Sequence, residues 1–95
     1  MKASDVAVGS LTRVEVEGCP VVLVRRPDGF FALDERCPHA GGPLSEGWLE
    51  ADGTVRCPWH ERHFDPVTGA CTDHPKTTRP ARTVPVRVEG DEVLF

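Results

Sequence analysis

Two short stretches carry the residues best suited to chemistry, Cys37-Pro38-His39 and Cys57-Pro58-Trp59-His60. Each pairs a soft thiolate donor with an imidazole, so together they offer two sulfur and two nitrogen ligands. Thiolate favours zinc, copper(I) and iron–sulfur centres, while imidazole suits zinc, copper and iron. A single zinc ion and a two-iron cluster both satisfy that test. Spacing separates them. Structural zinc usually draws on C-x2-4-C and H-x3-5-H knuckles, whereas each knuckle here mixes Cys with His and the first leaves only Pro38 between its donors. Mixed pairs are expected when two loops each give one sulfur to one iron and one nitrogen to a second.

The rest of the chain must hold these loops. Ninety-five residues make one domain, short enough that a bound metal centre would usefully reinforce a limited core. With 39% hydrophobic and 27% charged residues the composition is that of a folded globular protein rather than a disordered tail. The net charge of −4 and the presence of only two lysines, Lys2 and Lys76, leave no clustered basic patch for nucleic acid. No apolar run approaches the roughly 18 residues of a membrane span, and no signal-peptide h-region opens the chain. The protein is therefore read as cytoplasmic, with neither membrane nor nucleic acid as partner. In that compartment four cysteines point to metal binding before disulfides.

Along the chain, Thr12, Val14 and Val16 alternate with Arg13, Glu15 and Glu17, the period of a half-buried strand. Gly18-Cys19-Pro20 reads as a turn. Val21 to Val24 is an apolar β-branched run, and Pro27-Asp28-Gly29 turns it into Phe30 to Leu33, giving a three-stranded meander. Prolines and glycines crowd residues 37–47, a loop whose backbone passes close to something bulky. Asp52-Gly53 marks a hairpin between Trp48-Leu49 and Thr54 to Arg56, which carries the second knuckle back beside the first. His63 to Asp65 and Ala70 to Thr72 suggest another short pair. Val84, Val86 and Val88 alternate before Glu89-Gly90-Asp91 turns into Val93 to Phe95. Short strands with frequent Gly and Pro punctuation specify an all-β fold of packed antiparallel sheets.

The two knuckles, with Gly41-Gly42-Pro43-Leu44 after the first and Phe64-Asp65 and Thr68-Gly69 after the second, resemble the Rieske-type ferredoxins and Rieske domains. Val84 to Val93 is similar to the closing hairpin of the small members. The resemblance implies a Rieske-type antiparallel β-sandwich, one domain over residues 1–95, with a small cluster-binding subdomain at about residues 36–75 formed by two hairpin loops. It also implies one Rieske-type [2Fe–2S] cluster per chain, held by Cys37, His39, Cys57 and His60. Two thiolates neutralise an oxidised two-iron core where four would leave it negative, so an electron enters more easily, in a window of about −150 to +300 mV. The high-potential relatives carry an extra disulfide, and its matching positions here are Gly42 and Trp59. With that disulfide and every tyrosine absent, the midpoint is expected toward the low end. One departure stands out, since Glu61 follows His60 where the family often has glycine.

The soluble ferredoxins of aromatic-ring oxygenases are a closer likeness than the high-potential proteins. This likeness implies a monomeric, non-catalytic carrier of single electrons from a flavoprotein reductase to a terminal Rieske oxygenase. Oxygenase catalysis itself needs a mononuclear iron held by two His and one carboxylate, a further domain that a chain ending at Phe95 is expected to lack. The alternatives are the small subunit of a nitrite reductase, docking on its large subunit, and a structural zinc-binding interaction module. Other residues have ordinary readings: His63 and His74 as solvated or locally hydrogen-bonded, Cys71 as core, Cys19 in a turn with a Cys19–Cys71 disulfide left open, Trp48 as core, and Trp59 as part of an exposed docking rim.

Overall fold

A computed structural model describes residues 1–95, and the chain is built almost entirely from antiparallel β-structure. The meander comprises β1 (Leu11–Val16), β2 (Cys19–Arg26) and β3 (Gly29–Asp34), in the order β1-β2-β3. The first turn is tighter than its sequence suggests. Glu17 and Gly18, at φ 51° and 81°, make the connection alone, and Cys19 pairs with Val16 inside the strands. Two residues at positive φ give the twist that a tight hairpin needs, so Cys19-Pro20 opens β2 rather than lying in the turn.

β2 is central, and Val21, Val22, Leu23 and Val24 are all buried. An unbroken apolar run is what a strand covered on both faces requires. Val22 and Val24 face a large core with Leu33, Leu44, Val55, Phe64, Cys71, Ala81 and the two knuckle cysteines, Cys37 and Cys57. Leu23 points the other way, toward Val6 and Val93. The two Cys–His loops are thus continuous with the principal core.

A second small sheet holds β4 (Trp48–Leu49), β5 (Val55–Arg56) and β6 (His63–Phe64), in that order. The Asp52-Gly53 hairpin forms as expected. β7 (Arg87–Glu89) and β8 (Glu92–Leu94) close the chain, and the N-terminus is tied to their turn through Ala3 N–H to Asp91 O and through Ser4 to the Asp91 carboxylate. Between β6 and β7 the chain runs along the outer edge of β3, where Asp34 N–H donates to Arg82 O and Val84 N–H to Ala32 O. That segment covers an edge that would otherwise expose unpaired backbone, and it shortens the expected final strand to Arg87–Glu89. No helix is long and apolar enough to cross a membrane.

Phe64, fully buried, is among the largest side chains of the core that contains both cysteines. Phe64→Ala is expected to cost about 3–5 kcal/mol, read as a lowered urea unfolding midpoint with little change in the slope.

Candidate metal centre

The two knuckles form a matched pair of loops. In the first, Cys37 N–H donates to Gly42 O at 2.8 Å; in the second, Cys57 N–H donates to Arg62 O at 2.9 Å. Each bond spans from a cysteine to the fifth residue after it, and each cysteine is followed by a proline with its φ fixed by the ring. The fourth residue after the cysteine is left-handed in both loops, Gly41 at φ 79° and Glu61 at φ 54°. His60 joins Glu61 in that region at φ 63°.

Each loop has its own support. The short helical turn Leu44–Glu46 backs the first loop, and Glu35, only 5% exposed, accepts from both Ser45 N–H at 2.8 Å and Ser45 Oγ–H at 2.5 Å. Glu35 N–H in turn donates to Pro20 O on β2, so the loop is braced against the central strand. The second loop springs from β5 and returns into β6. Arg56 on β5 stacks over Trp48 at 4.2 Å and pairs with Glu50 at 3.2 Å and Glu61 at 3.7 Å. Trp48 is therefore not core: it is 47% exposed, since the two-residue β4 is an outer strand and the guanidinium covers one ring face.

Cys37 and Cys57 are buried and unoxidised. Burial pushes the Cys57 thiol up, with the Trp59 N–H opposing the rise and Cys37 adding to it. The histidines lie at the surface, their rings 5.0 Å apart and nearly perpendicular. His39 Nε2 accepts from Arg62 at 3.1 Å, because a guanidinium can only donate, and this leaves Nδ1 for a metal. Partial desolvation, followed by the charges of Arg62, His60 and His74, lowers the His39 pKa from its ordinary value and favours the neutral imidazole that metals take.

The set thus divides into a buried sulfur end and an exposed nitrogen end. Two sulfurs at one end and two nitrogens at the other suit two metal ions, each taking one kind of donor. Gly42 adds a close-packing condition. A Cβ there would lie 2.9 Å from Trp59 Cγ and 3.1 Å from Cys57 Sγ, so the side-chain space of residue 42 is taken by the opposite loop.

The model of the Rieske [2Fe-2S] domain matches residues 1–88. The chain belongs to the Rieske family. The cofactor of this domain is a Rieske-type [2Fe–2S] cluster. The 3-phenylpropionate/cinnamic acid dioxygenase ferredoxin subunit of Escherichia coli (strain K12) is 38% identical over 93 residues, covering 97% of this chain and 85% of that protein. Among solved structures, the ferredoxin of carbazole 1,9a-dioxygenase from Nocardioides aromaticivorans IC177 superposes with a TM-score of 0.90 at 33% identity, covering 98% of this chain and 89% of that one. A ferredoxin seen in a complex of reduced oxygenase and oxidized ferredoxin in carbazole 1,9a-dioxygenase gives 0.87 at 35% identity, over 98% and 94% of the two chains. A nitrite reductase small subunit shares the fold, at a TM-score of 0.84 and 24% identity over 98% and 91%.

Several residues around the Rieske loops gain their meaning only from this geometry. Arg62 is both the closing residue of the second loop and the hydrogen-bond partner of His39. The only hint of that in sequence is a cation two residues after the second histidine. Glu61 does not turn toward the loops' interior; its carboxylate is 66% exposed and faces Arg56. His63 and His74 are locally hydrogen-bonded as expected, to Thr54 and Asp73, and Cys19 and Cys71 are both free thiols. A left-handed non-glycine residue costs roughly 1–2 kcal/mol, and glycine relieves it at some cost in chain entropy. Glu61→Gly is therefore expected to stabilise the protein by about 0.5–1 kcal/mol, seen as a raised thermal midpoint.

Proposed function

We propose that Cys37, His39, Cys57 and His60 ligate the cluster and that the protein is a ferredoxin carrying single electrons from a flavoprotein reductase to a terminal Rieske oxygenase. One observation carries this reading: the chain keeps a full two-sulfur, two-nitrogen donor set, with its thiols buried in the core and its imidazoles at the surface. When bound, the cluster supplies a one-electron donor and acceptor. Residues 36–75 form its binding subdomain, and the monomer presents the histidine end to partners in the cytoplasm. The relatives named as ferredoxin subunits of dioxygenases, one of them in complex with its oxygenase, support this choice of partners. The full donor set favours the carrier over the nitrite reductase reading. Its mixed Cys–His loops match the usual zinc knuckles poorly, which disfavours the zinc module.

The protein's own residues do the rest. Burial of Cys37 and Cys57 keeps water from the sulfur end. Exposure of His39 and His60 gives a partner a short path, and Trp59, half exposed beside them, offers an apolar contact. The test is chemical and kinetic. Purified protein should hold two irons and two labile sulfides per chain, with a reduced paramagnetic signal of mixed sulfur and nitrogen ligation. It should also support electron flow between reductase and oxygenase. Stoichiometric zinc without iron, or no electron flow with either partner, would contradict the reading.

Two substitutions separate docking from tuning. Trp59→Ala should slow transfer to the oxygenase about tenfold through weaker docking, leaving iron content and midpoint unchanged. Arg62 sits on the rim, where a docking role alone would leave the midpoint untouched, but its 3.1 Å contact with His39 overrides that expectation. Arg62→Glu replaces a cation that favours the reduced state by an anion. The midpoint should fall by on the order of tens of millivolts in a redox titration at low salt.

A further inference from the structure

On the flank of the second loop lies a separate group of ligating side chains. Phe64 on β6 forms a bridge with Cys71, and Thr72 N–H donates to His63 O, so the turn that follows is clamped to the strand emerging from the loop. Within that turn Cys71 Sγ lies 3.3 Å from Asp73 Oδ1, and His74 Nδ1 lies 3.3 Å from the same oxygen. All three atoms fall within 4.8 Å of one another. A third donor, His63 N–H, holds Oδ1 in place at 3.0 Å.

We propose that Cys71, Asp73 and His74 form a second, mononuclear metal site that takes a borderline-soft divalent cation of the zinc class, with water completing a tetrahedron. Zinc bonds of about 2.0–2.3 Å in tetrahedral arrangement place neighbouring ligand atoms about 3.3–3.5 Å apart. The two contacts through Asp73 already have that separation. The two protons now shared with Asp73, one from the Cys71 thiol and one from His74 Nδ1, occupy the space between the ligands that a cation would take. On binding, the thiol proton leaves to solvent and the imidazole proton passes from Nδ1 to Nε2 by exchange with solvent, so the ring stays neutral with Nδ1 free for the ion. One thiolate and one carboxylate then balance a divalent charge.

The individual groups are ready for this role. Partial burial opposes ionisation of Asp73, but hydrogen bonds from His63 N–H, Cys71 and His74 outweigh it and bring its carboxyl down to about 2. It is therefore anionic across the working range. Cys71 is buried at 3% exposure, which shields the sulfur, while His74 and Asp73 stay accessible for the ion to enter. The mixed sulfur, nitrogen and oxygen set favours zinc over magnesium or calcium, which prefer oxygen alone. The inference does not rest on how the cluster is ligated, because it uses none of the same residues.

The test uses the iron-loaded protein incubated with zinc chloride, freed of loose metal by dialysis and analysed for zinc and iron together. One zinc per chain with iron unchanged, and a zinc X-ray absorption spectrum containing one sulfur neighbour, is the expected result. His74→Ala and Asp73→Asn alter exposed side chains and should weaken zinc binding at least tenfold while iron content stays at wild type. Cys71→Ser should remove the sulfur neighbour. Zinc bound equally well by the His74 and Asp73 variants, a sulfur-free spectrum, no retained zinc, or zinc gained only as iron is lost would overturn the proposal. If a preparation lacks iron altogether, a zinc equivalent lost in His74→Ala still identifies this site, so the two readings fail separately.

Discussion

Two thiols buried in the same core are the constraint on which the rest of the structure depends. Cys37 and Cys57 are as buried as the valines they pack with, yet a protein seldom places two ionisable groups together without a partner charge. Burial pushes the Cys57 thiol toward neutrality. A metal centre held there, as proposed, would replace the thiol protons and be balanced by the thiolates. Imidazole donors would add ligands without adding charge, the electrostatic basis on which a Rieske cluster works at higher potential than an all-cysteine one.

Meeting that constraint takes two loops that aim a sulfur inward and an imidazole outward. Both do so with one recipe: a proline after the cysteine, a backbone bond closing on the fifth residue, and a left-handed fourth residue. In the first loop glycine supplies the left-handed position at little cost. In the second Glu61 occupies it, and its carboxylate reaches Arg56, itself stacked on Trp48 and paired with Glu50. The ion pair is exposed and so contributes little by itself. The strain therefore persists because the surrounding hairpin holds both ends of the loop.

The β-framework serves the loops through its central strand. Val22 and Val24 press on the core that contains the cysteines, while Leu23 anchors the terminal hairpin on the opposite face. Much of the remaining order is irregular. Of 44 backbone hydrogen bonds only 20 lie within regular elements, so turns and loops carry more of the backbone pairing than the sheets do. The same irregular stretches bring Cys71, Asp73 and His74 together on the second loop's flank. Loops that converge on a site in this way are positioned by the scaffold beneath them rather than by their own conformational preferences.

By itself the sequence determined the metal chemistry, the all-β class and most turns. Ligand type and short spacing identify the two knuckles, and alternation or Gly-containing turns identify β1, the Asp52-Gly53 hairpin and the terminal hairpin. These are local properties, settled within a few residues. What tertiary structure decided are relations between distant residues. Gly42 must lack a side chain because Trp59 of the other loop fills the space, and Trp48 is half exposed on an outer strand with Arg56 stacked over one face of its ring. Arg62 reaches His39, 23 positions away, which turns a rim cation into a partner of the first knuckle's imidazole. Cys19 and Pro20 belong to β2 because Glu17 accepts a positive φ that propensity alone would assign elsewhere. None of these follows from a window of sequence, since each depends on which side chain from the opposite loop or strand has taken the available space.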